Sequence, residues 1–144
     1  MITLTLDIAP RWITLAPGLD VHVRAMNNGI YMAARAADPV TEAEAARDGE
    51  AWAFALGVEV AKRAILDWRG VGDEAGQPLP VSPEAIIALM HMRIPFDAFY
   101  DQYLGPWMTV LEEKKGFAPL PSGTSAGAPI IATDAPGAAP SAPA

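Results

Sequence analysis

Residues 12–23 read WITLAPGLDVHV, and the fold class of the chain turns on them. Trp12-Ile13-Thr14-Leu15 leads into Ala16-Pro17-Gly18, where proline fixes one dihedral and glycine supplies the positive φ of a tight reversal. Beyond it Leu19, Val21 and Val23 alternate with Asp20, His22 and Arg24, the period of a half-buried strand. The stretch predicts a hairpin that Asn27-Asn28-Gly29 brings to an end. Upstream, Ile2, Leu4 and Leu6 alternate with Thr3, Thr5 and Asp7, which predicts a further strand.

From Ile30 the period changes. Tyr31 to Ala37 predicts a short helix that Asp38-Pro39 terminates. Thr41 and Glu44 stand in capping-box spacing, so a long helix is expected to start there. Ala51, Phe54, Val58, Ala61, Ile65 and Trp68 form an apolar stripe along it, with Trp52, Leu56 and Val60 as a second row. Glu59, Lys62 and Arg63 mark its wet side. The breaker-rich segment 68–81 places Asp73 and Gly76 for a turn, and Ser82, Pro83 and Glu84 open another helix running to about Met92. Phe96, Phe99, Tyr100, Tyr103 and Trp107 then make an aromatic stripe at helical offsets, in a helix that Pro106 should kink or divide. The expected fold is α+β: an N-terminal β-hairpin or small antiparallel sheet followed by a mostly α-helical bundle. Residues 1–117 are expected to form a single globular domain, with the hairpin in 1–26 and the helices in 30–116. Residues 118–144, rich in Ala, Pro, Gly and Ser, cannot bury enough apolar surface to offset their ordering entropy, and read as a disordered tail.

A formal charge of −7, with no basic run longer than a pair, argues against nucleic acid as a partner. The absence of cysteine rules out disulfides and thiolate metal sites and fits a reducing compartment. No basic n-region precedes an apolar stretch and no eighteen apolar residues run together, so neither secretion nor a membrane span is expected.

The candidate chemistry is thin. Gly70, Gly72 and Gly76 lack the spacing and the following lysine and serine of a phosphate loop. His91 between Met90 and Met92 could hold a soft metal, but on an apolar helix such a trio usually packs; the other histidine, His22, falls on a predicted strand. Asp97 and Asp101 lie one helical turn apart without a basic partner to tune them as an acid pair. Ser122, Thr124 and Ser125 have no nearby base. No catalytic residue, metal site or cofactor is expected, and the chain reads as a binding protein rather than an enzyme.

Two phrases carry a resemblance. One is Leu66 to Glu84, LDWRGVGDEAGQPLPVSPE, a helix end with Trp-x-Gly-Val followed by Asp-x-x-Gly-x-Pro and a capped helix; the other is Glu113 to Gly127, EKKGFAPLPSGTSAG. Across roughly residues 50 to 127 the chain resembles the tail assembly chaperones of long-tailed bacteriophages. The resemblance implies a non-enzymatic protein of the host cytoplasm, absent from the mature virion. It would bind the tape-measure protein and help recruit the tail tube protein. Phe54, Val58, Ile65, Trp68, Tyr100, Tyr103 and Trp107 are the partner-binding candidates, and a homo-oligomer is compatible with so wide an apolar surface. The alternative is a structural virion protein, a tail-completion, minor tail or head-tail connector component. A small enzyme or ligand-binding domain is the third reading.

Overall fold

The computed structural model describes residues 1–6 and 8–116, with side chains as far as Leu111; the expected tail 118–144 lies outside the described residues. The chain divides into two compact units, Met1–Gly105 and Pro106–Ala144. In the first, β1 (Arg11–Ala16), β2 (Leu19–Val23) and β3 (Ile65–Arg69) form an antiparallel sheet in the order β1-β2-β3. The helices are α1 (Asn28–Arg35), α2 (Asp38–Ala45), α3 (Gly49–Ala64), α4 (Pro83–Met90) and α5 (Arg93–Phe99). A π-helical turn, Tyr100–Leu104, follows α5, and α6 (Gly105–Gly116) leads into the second unit. The α+β expectation holds.

The hairpin forms as its residues dictate. Gly18 takes φ +78 in the reversal, and Ile13, Leu15, Leu19, Val21 and Val23 are buried on one face. The strand expected at Ile2–Asp7 is not formed over its described residues: Ile2, Leu4 and Leu6 are exposed and residues 1–6 join no sheet. Alternation prepares a strand but only a partner's ladder holds one, and the sheet offers these residues none.

The long helix expected from Thr41 to Trp68 is three elements. Thr41 donates its hydroxyl to the carbonyl of Asp38, and Glu44 pairs with Arg35, so neither serves a capping box. Instead α2 starts earlier, with Pro39 in its first turn, and stops before Arg47, whose φ is +57. The carboxylate of Asp48 then caps α3 by accepting the Ala51 amide at 3.1 Å. At its far end α3 gives way to β3 at Ile65. Ile65 and Trp68, three residues apart, are both buried, because a bulge at the β2–β3 ladder shifts the register between the His22–Asp67 and Val23–Ile65 pairs. Without that extra residue, positions three apart in a strand face opposite sides. The spacing thus imitates a helix.

Glu59, expected on the wet side of α3, is the one buried charged residue among those described. Arg63 at 2.8 Å and Lys62 at 3.1 Å cover it. Burial raises the pKa of this carboxyl, but the hydrogen bonds and positive charges of Arg63 and Lys62 together outweigh it and hold it below its usual value. Ser82 caps α4 as expected, accepting the Ala85 amide at 3.1 Å. Pro106 falls just after the π-turn, in which Gly105 donates to the carbonyl of Tyr100. A proline that cannot donate and crowds the turn before it favours such a widened turn.

Candidate interaction surfaces

The π-turn and α5 split the aromatic stripe in two. Phe99 and Tyr103 stack at 5.1 Å inside the core, where Tyr103 donates its hydroxyl to the carbonyl of Arg24 at 2.7 Å. Burial pushes the phenol pKa up to about 12. Phe96 and Tyr100 face the other way, 5.9 Å apart, and Phe96 meets Phe54 of α3 at 5.2 Å. Phe54 also takes His91 edge-on at 5.2 Å, while His91 Nδ1 lies 2.8 Å from the carbonyl of Ile87.

Phe54, His91 and Phe96 border a groove between α3 and the α4–α5 corner with a volume of about 430 Å³. Ala53, Phe54, Met90 and Phe96 make it apolar, and Glu50, Arg93 and Asp97 give it charged rims. Gly57 on α3 lets Phe96 approach, since a Cβ there would stand 2.6 Å from Cε1 of Phe96. The helices close on each other only because that position carries no side chain. Met92 and Ile94 are exposed close by in sequence. Asp97 has a basic partner after all: Arg93 stands 3.5 Å away, one turn earlier on α5, and sequence reading overlooked it.

Of the partner-binding candidates, Val58, Ile65, Trp68 and Tyr103 are buried, and Trp68 donates its indole N–H to the carbonyl of Leu79 at 2.7 Å. Phe54 and Tyr100 are half-buried near one another through Phe96, and Trp107 belongs to α6 in the second unit. The glycine-rich segment folds as a small hairpin on itself. Asp73 accepts the amides of Ala75 and Gln77, both at 2.9 Å, so the loop's amides serve its own carboxylate. Among the described residues there is no group of three or more metal-capable side chains, and no helix is long and apolar enough to cross a membrane.

On the solvent face of the sheet, the Trp12 ring stacks on His22 at 4.7 Å and carries the Arg69 guanidinium 3.9 Å above its centre. Arg69 reaches Asp20 at 3.5 Å, and Asp20 accepts the Thr14 hydroxyl at 2.6 Å. Sequence reading missed this cluster because its members are brought together by strand register, Trp12 opposite His22 and Asp20 opposite Arg69.

Residues 22–106, more than half of the chain, match the family model described as YdaY prophage protein. The chain belongs to the YdaY family. The matched region opens in β2, takes in α1 to α5 with β3 and the groove, and closes at Pro106. It makes this a prophage protein, the coarser part of what the resemblance implied, and says nothing specific of tail assembly. No curated protein and no solved structure matches the chain.

Proposed function

We propose that this YdaY-family protein is a non-enzymatic tail assembly chaperone: it holds the tape-measure protein and helps recruit tail tube subunits in the host cytoplasm. The observation that carries the reading is the α3/α4–α5 groove, apolar within and charged at its rims, on a unit where Glu59 and Asp97 are held in ion pairs and Asp73 by backbone amides. An amphipathic helix laid in such a groove buries a row of side chains at three- and four-residue spacing, which suits a long helix-rich client. The formal charge of −7 keeps a crowded complex dispersed.

Co-expression with the adjacent tail proteins followed by pull-down tests the reading. The wild-type chain should retain the tape-measure protein, and Ala53→Arg, which fills the groove from a half-exposed position, should release it while keeping the fold. A complex that survives Ala53→Arg removes the groove from the mechanism. Mass spectrometry of purified particles addresses the structural alternative: a chaperone is scarce or missing in them, whereas a tail-completion or connector protein is present in fixed copy number.

A further inference from the structure

Residues 2–6 combine three properties that together call for a partner strand. Ile2, Leu4 and Leu6 are 85%, 75% and 93% exposed, the densest run of large apolar side chains left in water among the described residues. They alternate with Thr3 and Thr5, so a strand built from them has one wholly apolar face and β-branched residues on the other. They also lie just upstream of β1, an edge strand. Folding back onto β1 of the same chain would need a tight reversal around Ile8-Ala9-Pro10, which holds no glycine or asparagine to take the positive φ of a hairpin turn. Pro10 also holds Ala9 extended.

From these observations we infer that residues 2–6 add as a strand to the outer edge of β1 in a second copy of this chain, reciprocally, making a two-fold dimer. An incoming strand has to displace what already stands at this edge. Its backbone is engaged by a side chain rather than a strand: Gln102 donates to the carbonyl of Thr14 at 2.8 Å, which shows that this carbonyl points away from β2. Lengths agree, since five residues reach about 17 Å as a strand and the six residues of β1 about 20 Å. A second copy supplies both partners of the pair at once: each protomer has one exposed apolar segment and one edge without a strand, where the Thr14 carbonyl exchanges Gln102 for a backbone amide, and a two-fold axis satisfies all four together. A partner with only an edge would leave the edge of this chain open. The dimer is independent of the groove, which lies among the helices.

Analytical ultracentrifugation of the full chain across a concentration series, with amide hydrogen exchange, tests it. The wild-type chain should show a concentration-dependent dimer, with Trp12 and Thr14 amides exchanging at least tenfold more slowly as dimer forms. Leu4→Asp should leave a folded monomer at concentrations where wild type is mostly dimer. Thr5→Pro should do the same although every apolar side chain remains, because it removes a ladder donor. A chain monomeric throughout the series, a dimer that survives Leu4→Asp, or one that survives Thr5→Pro would each overturn the proposal.

Discussion

Residues 2–6 and residues 19–23 carry the same alternation of apolar and polar side chains, yet Val21 and Val23 are completely buried while Leu4 and Leu6 stand in solvent. The two differ in what lies beside them. β2 has β1 on one side through a turn whose glycine is at φ +78, and β3 on the other. Residues 2–6 have neither turn nor neighbour. Alternation therefore states a capacity to form a strand, and the turn chemistry and available edges decide whether it is used.

The most severe way to break this comparison is Val21→Asp. A carboxylate placed between β1 and β3 in the buried face has no partner, so a loss of more than about 4 kcal/mol is expected. That is a large share of a domain's total stability, and urea titration followed by circular dichroism should find the variant largely unfolded. Next comes Gly70→Ala, at the end of β3. Gly70 has φ +89, and a Cβ there would sit 1.8 Å from the carbonyl oxygen of Gly18, backbone against backbone. A loss of about 2–4 kcal/mol in the same titration would show that the β1–β2 turn and the end of β3 are locked together.

The same locking explains what was legible in the sequence. The hairpin, the Ser82 cap and the Asp73 turn were readable because each depends on residues within a few positions of one another. β3 was not, because the bulge between Ile65 and Asp67 exists only in pairing with β2, more than forty residues away, and it gives Ile65 and Trp68 helical spacing. Glu59 deceived for a related reason: charged residues at helical spacing ordinarily mark a solvated face, whereas here Lys62 and Arg63 fold over it. At the candidate groove the aromatic residues were visible as a stripe. The separation of the core pair Phe99 and Tyr103 from Phe96 at the groove, and the closeness of Phe96 to Gly57, follow from the π-turn and from α3 packing on α5.

Smaller effects sharpen the picture. Glu59→Gln should cost about 1–3 kcal/mol at pH 7, at the lower end because Lys62 and Arg63 remain partly exposed. With the Glu59 pKa held below its ordinary 4.5, the ion pairs contribute fully above that pH and are lost as pH falls through the lower folded value. The gap between wild type and Glu59→Gln should therefore close on acidification below about pH 4.5 and stay constant from 6 to 8. Tyr103→Phe should cost about 1 kcal/mol by leaving the carbonyl of Arg24 without its donor. In the wild type, a phenol raised from 10 to about 12 loses its stabilising contribution only as pH rises through that interval, and ultraviolet titration should follow it.

The smallest effect sits where the comparison began. Leu4→Asp places a charge on a residue that is already three-quarters exposed, so in dilute solution the melting temperature should move by no more than about 0.5 kcal/mol requires. Raising protein concentration should separate the two chains. Wild type gains stability by mass action if residues 2–6 find an edge in a second copy, and Leu4→Asp does not. Val21 and Leu4 occupy equivalent positions in the same alternating pattern, so the contrast between unfolding in one and a purely concentration-dependent change in the other isolates what a neighbouring strand contributes. A melting temperature that falls equally for Leu4→Asp at every concentration would place residues 2–6 in the monomer's own core.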